Sequence, residues 1–127
     1  MGWTMTLRLD ADSLRTMKMP LMLLNIIEED RRLHAHKHNL DLILSELLSN
    51  ALEWGVLGLD SRIKKSAETF ERYFALRQKG LDFLTEGWVK IDLEHIPLDY
   101  GGKFVVRMED SGPGLDYQNL DAFYDNA

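Results

Sequence analysis

Residues 4–10 alternate, with Met5, Leu7 and Leu9 on one side and Thr4, Thr6, Arg8 and Asp10 on the other. That is the period of a half-buried strand. Asp10 to Ser13 reads as a turn or a helix cap, and Pro20 stands where a helix can begin, ahead of Leu21, Leu23, Leu24, Ile26 and Ile27. The acidic-to-basic passage from Glu28 to Arg32 reads as a solvated stretch near that helix's end. The clearest element spans about 39–54, where Leu40, Ile43, Leu44, Leu47, Leu48 and Ala51 form one apolar arc at helical spacing before Gly55 and Gly58 break it. A third helix, about 64–79, is expected to turn Ala67, Phe70, Phe74 and Ala75 toward a core, with a continuation to Leu84 across Gly80. Two strands follow: Trp88 to Leu93, with Val89, Ile91 and Leu93 inward, and Phe104 to Met108. The turn residues Pro97, Asp99, Gly101 and Gly102 lie between them, so an antiparallel hairpin is the natural pairing.

This order of elements predicts an α+β fold: a two-layer α/β sandwich with helices packed on one face of a mostly antiparallel sheet. The chain has 127 residues, the length of one domain over 1–127. With 45% hydrophobic and 28% charged residues, its composition is that of an ordinary globular protein. A net charge of −6 argues against a general attraction to nucleic acid or to an anionic membrane. The lack of cysteine removes disulfides, thiolate metal sites and cysteine nucleophiles together. No apolar run approaches the roughly 20 residues of a membrane span, and the N-terminus carries no signal-peptide pattern. The expectation is a soluble, cytoplasmic domain.

Two constellations carry candidate chemistry. Glu46, Asn50 and Glu53 are spaced four and three apart on the second helix, so in a regular helix they project from one face beside the apolar arc. An amide oxygen such as that of Asn50 suits Mg²⁺, and a carboxylate one turn earlier, Glu46, can orient or deprotonate a nucleophile. The plain alternative is a solvated polar stripe. The second constellation is Glu109-Asp110-Ser111-Gly112-Pro113-Gly114. A carboxylate at a strand end, followed by glycines, sets a fixed acceptor beside backbone that a ligand can approach closely. Its plain alternative is a turn after a strand.

Taken together and in this order, the stretch from Glu46 to Gly55, Glu-Leu-Leu-Ser-Asn-Ala-Leu-Glu-Trp-Gly, resembles the N-box of the histidine-kinase-like (GHKL, Bergerat-fold) ATPases. Asp110-Ser111-Gly112-Pro113-Gly114 resembles their first glycine box. Within that superfamily the N-box is similar to those of anti-sigma-factor serine kinases and of ATPase-like modules fused to response regulators or sporulation-type serine phosphatases. The resemblance implies ATP and Mg²⁺ as ligands, with Asn50 on the metal, Glu46 as the polarising carboxylate and Asp110 on the adenine. It further implies Gly112 and Gly114 in the pocket floor and Glu53 on the nucleotide side. No counterpart of the family's second glycine box follows, so the fold is expected to be C-terminally incomplete, with this chain alone inactive and poorly ordered from about Gln118. Segment 59–87 is longer than the compact serine-kinase form needs and reads as a helical insertion. No helix pair bearing a phosphorylatable histidine is seen.

The implied function is the ATP-binding domain of a bacterial signal-transduction protein that phosphorylates or sequesters a partner. That partner is an anti-sigma antagonist, a sigma factor, or a fused receiver or phosphatase domain, and a homodimer is compatible with it. The alternative is a degenerate, nucleotide-independent docking module. Other signals weigh less. His34, His36 and His38 read as a solvated segment rather than a metal site, and Met17, Met19 and Met22 as core filling. Trp54 and Trp88 are expected to be buried and structural.

Overall fold

The computed structural model describes residues 2–16, 25, 28–59, 67–112 and 118–124. Four strands form one sheet: β1 (Trp3–Asp10), β2 (Trp88–Pro97), β3 (Gly102–Asp110) and β4 (Gln118–Tyr124), in spatial order β1-β2-β3-β4. Every pairing is antiparallel, with Leu7 opposite Ile91, Ile91 opposite Met108 and Val106 opposite Leu120. The helices are α1 (Ala11–Thr16), a single turn α2 (Arg31–His34), α3 (Lys37–Asn50), a π-helical continuation Ala51–Val56, and α4 (Ala67–Asp82). The protein is thus α+β, with an antiparallel sheet and helices against one of its faces. The proposed helix start at Pro20, the three methionines at 17, 19 and 22, and the first residues of the third helix lie outside the described residues.

Alternation decides which face of the sheet is covered. Leu9, Val89, Ile91, Leu93, Phe104, Val106 and Met108 point inward and join Leu40, Leu44, Leu48, Ala51 and Leu52 from α3 and its continuation in one buried cluster. Fully burying such side chains contributes about 1.5–3 kcal/mol each, which fixes the strand register, because a one-residue slip would turn the whole set outward. The opposite face is mostly polar, with Val105 and Phe123 among its charges: Thr6 Oγ1 donates to Asp92 Oδ1 at 2.6 Å, and Arg107 lies opposite Asp92 in the ladder.

The strands and the second helix meet expectation, and several details differ. β2 runs on past Leu93, because the inward alternation continues to His95, which is wholly buried. Asp10 Oδ1 accepts from Ser13 N at 3.0 Å and so caps α1. On α4 the expected core face is wrong. Phe70 and Phe74 are each 45% exposed and Ala75 is exposed, while Tyr73, Leu81 and Leu84 are buried. The reason is a polar anchor: Tyr73 reaches the buried carboxylate of Glu53 and sets the rotation of the helix. The disorder expected from about Gln118 is corrected over Gln118–Tyr124. β4 alternates Leu120, Ala122 and Tyr124 toward the core against exposed Asp121 and Phe123, and it satisfies the outer backbone groups of β3. The Glu28–Arg32 passage is not simply solvated, since Asp30 caps α2 by accepting from Arg32 N at 3.0 Å.

Candidate functional site

The C-terminal end of α3 carries the first motif. Glu46 and Asn50 are both exposed, one turn apart. Beyond Asn50 the bonding pattern widens: Leu57 N donates to Leu52 O at 2.9 Å, five residues back. π-helical turns of this kind are rare and recur at functional sites. With more residues per turn, positions past Asn50 fall behind their α-helical angle, so Glu53 leaves the face shared by Glu46 and Asn50. It is 6% exposed. Its carboxylate accepts from the Tyr73 hydroxyl and from Arg77 Nε at 3.2 Å, which ties the widened turn to α4. Glu53 therefore sits, buried, in an ion pair with Arg77. Trp54 is 53% exposed, contrary to the burial expected of it; Trp88 is half-buried, with the Arg8 guanidinium 4.8 Å over its ring.

The same widened turn brings Gly55 inward. Its bare Cα lies against Asp110 at the end of β3, so closely that a Cβ on residue 55 would overlap Cγ and both carboxylate oxygens of Asp110. Two motifs far apart in sequence thus meet at one point. Asp110 Oδ1 accepts from Gly112 N at 2.8 Å. Burial pushes the Asp110 carboxyl above its ordinary range; the Gly112 hydrogen bond opposes that shift and the neighbouring Glu109 charge adds to it. Ser111 is clamped to β2, its Oγ accepting from Trp88 N at 2.9 Å while its own N–H donates to Trp88 O at 3.1 Å. Gly87, with φ of 116°, makes the tight approach to Ser111 that this clamp needs. Beside this junction is a cleft of about 420 Å³ lined by Val56, Glu86, Gly87, Trp88, Ser111 and Gly112, a size usual for small-molecule sites. Gly114 lies outside the described residues.

A second polar cluster escaped the sequence reading. His95 Nδ1 lies 2.8 Å from Asp30 Oδ2, and its Nε2 meets the Tyr124 hydroxyl. The Trp3 indole N–H donates to the same Asp30 oxygen at 2.9 Å. Because the Asp30 carboxylate only accepts, His95 Nδ1 is the donor to it. Burial would raise the Asp30 pKa, but the hydrogen bonds from Trp3 and Arg32 N and the His95 charge outweigh it and hold the carboxyl below its ordinary range. Burial, and then the Asp30 charge, push Tyr124 up. The chain of side chains ties β1, α2, β2 and β4 together. The legible signal was the position of His95, next in the inward series after Leu93. His36 packs on the Tyr124 ring, with centroids 4.9 Å apart, and the helix breaks between His34 and His38. Among the described residues no group of three or more His, Asp or Glu side chains is placed to hold a metal ion.

Comparison with known protein families, with curated proteins and with solved structures finds no match to this chain. Among the described residues no helix is long and apolar enough to cross a membrane.

Proposed function

We propose that the chain is the adenine-nucleotide-binding domain, of Bergerat type, of a bacterial regulatory protein of the anti-sigma-factor serine-kinase kind. The observation that carries this reading is the seating of the Asp110 carboxylate on Gly55, beside a cleft whose lining includes Gly112. A carboxylate with one oxygen on a backbone N–H has its other oxygen left to accept from an exocyclic amine such as that of adenine. Asn50 and Glu46 offer exposed oxygen donors one turn apart, a donor set that suits Mg²⁺. Asn50 would hold the ion and Glu46 would orient or deprotonate the hydroxyl of a partner protein. Bound Mg²⁺ would neutralise charge on the phosphoryl group being transferred. Glu53, held by Tyr73 and Arg77, contributes by keeping the widened turn in place instead of touching nucleotide.

Calorimetric titration with Mg-ATP tests the reading. Asp110→Asn should abolish binding while the thermal melt stays cooperative; equal affinity in a folded mutant would rule out Asp110. A second reading has its own support. Phe70, Phe74 and Phe83 are exposed on and just beyond α4, as suits a module that docks a protein without nucleotide. Binding of a sigma-factor antagonist that ignores ATP, and that is lost on Phe74→Lys, would favour it.

A further inference from the structure

We propose that Gly55 is a positioning residue, whose bare Cα is the wall that seats the Asp110 carboxylate with Oδ1 on Gly112 N–H and Oδ2 left to accept from a ligand donor. The glycine cannot be explained as a helix breaker, because the helix continues through it to Val56. Nor does its backbone conformation require it, since the glycines with positive φ are Gly58, Gly87 and Gly101 among the described residues. What demands glycine is the space that Asp110 occupies.

Neither side of the contact can back away. Ala51, Leu52 and Gly55 are buried against the sheet on the helix side. On the strand side Asp110 pairs with Val89, and Ser111 is held from both directions by Trp88. The one soft coordinate is the Asp110 side chain itself. A methyl at position 55 would therefore leave the fold standing and swing the carboxylate off Gly112 N–H toward water. Asp110 accepts one hydrogen bond, at Oδ1, among the described residues, so nothing else on that side would hold it in place. The inference rests on the nucleotide reading only for the identity of the ligand; the seating of Asp110 stands or falls apart from it.

The test uses the full chain as wild type, Gly55→Ala and Asp110→Ala, followed by heteronuclear NMR. In Gly55→Ala the Gly112 amide resonance should move to where Asp110→Ala puts it, and the Asp110 carboxyl should titrate at lower pH than in wild type, with the melt still cooperative. A Gly112 amide and an Asp110 titration both unchanged in Gly55→Ala would overturn the proposal. Should Gly55→Ala fail to fold, Gly55→Ala/Asp110→Ala decides: recovery of the fold supports the steric contact, and continued unfolding overturns it. Mg-ADP is the probe for the ligand arm, where Gly55→Ala should weaken binding at least as far as Asp110→Ala does. If wild type ignores Mg-ADP while the amide and carboxyl signals move together, the nucleotide reading fails and the positioning role is upheld. If Mg-ADP binds wild type and Gly55→Ala alike, the positioning role is overturned and the nucleotide reading survives.

Discussion

A carboxyl group whose pKa is raised by burial, as at Asp110, accepts from a donor most strongly once it has lost its proton. Nucleotide affinity should therefore fall as pH drops through the Asp110 pKa, beginning above the ordinary carboxylate value of 3.8; an affinity that stays constant down to that value would detach Asp110 from the ligand. Asp30 has the opposite sign. Its folded pKa is lowered, so its contribution to stability is present above the unfolded value and is lost as pH falls through the folded one. Asp30→Ala removes the acceptor of Trp3, His95 and Arg32 N together, and should cost about 3 kcal/mol at neutral pH. The gap between mutant and wild type in urea melts should narrow as pH falls below the ordinary Asp value of 3.8 and through the lowered folded one. A gap that persists in acid would mean that the carboxylate charge is not what holds the cluster. At Asn50, replacement by Ala should weaken Mg-ATP binding more than binding of metal-free ATP, and equal losses would remove it as a metal ligand.

At the scale of elements, α4 shows where apolar spacing misleads. Phe70 and Phe74 are four apart and look like a core stripe, yet their rings touch each other at 4.7 Å between centroids and stay exposed. A hydrophobic pattern cannot show that Tyr73 must reach a buried carboxylate, and that one bond decides the rotation of the helix. Tyr73→Phe should thus destabilise the protein by about 1–3 kcal/mol, whereas Phe74→Ser should change stability by less than about 0.5 kcal/mol; chemical denaturation reads both. The reverse order of costs would restore the expected core face. β1, β2, β3 and the apolar arc of α3 were legible because period 2 and period 3.6 are written in single residues. β4 was not, since its inward positions, Leu120, Ala122 and Tyr124, are spread among Asn119, Asp121 and an exposed Phe123. Only the need of β3 for a partner on its open side makes them a strand.

For the whole molecule, the antiparallel sheet brings together what the sequence holds apart: Gly55 meets Asp110, and His95 meets Asp30 on one side and Tyr124 on the other. The two motifs were each readable, but their contact was not, because it depends on the π-helical turn that swings Glu53 toward α4 and Gly55 toward β3. In the proposed function this junction receives an adenine nucleotide. Its most direct test is a titration of the isotope-labelled chain with Mg-ATP, followed residue by residue in the amide spectrum. Weak, saturable shifts should concentrate at Gly55, Val56, Trp88, Asp110 and Gly112, with a separate Mg²⁺-dependent shift at Asn50 and none on the exposed face of α4. A spectrum that stays unchanged at millimolar Mg-ATP, or one that shifts only at Phe70, Phe74 and Phe83, would contradict it.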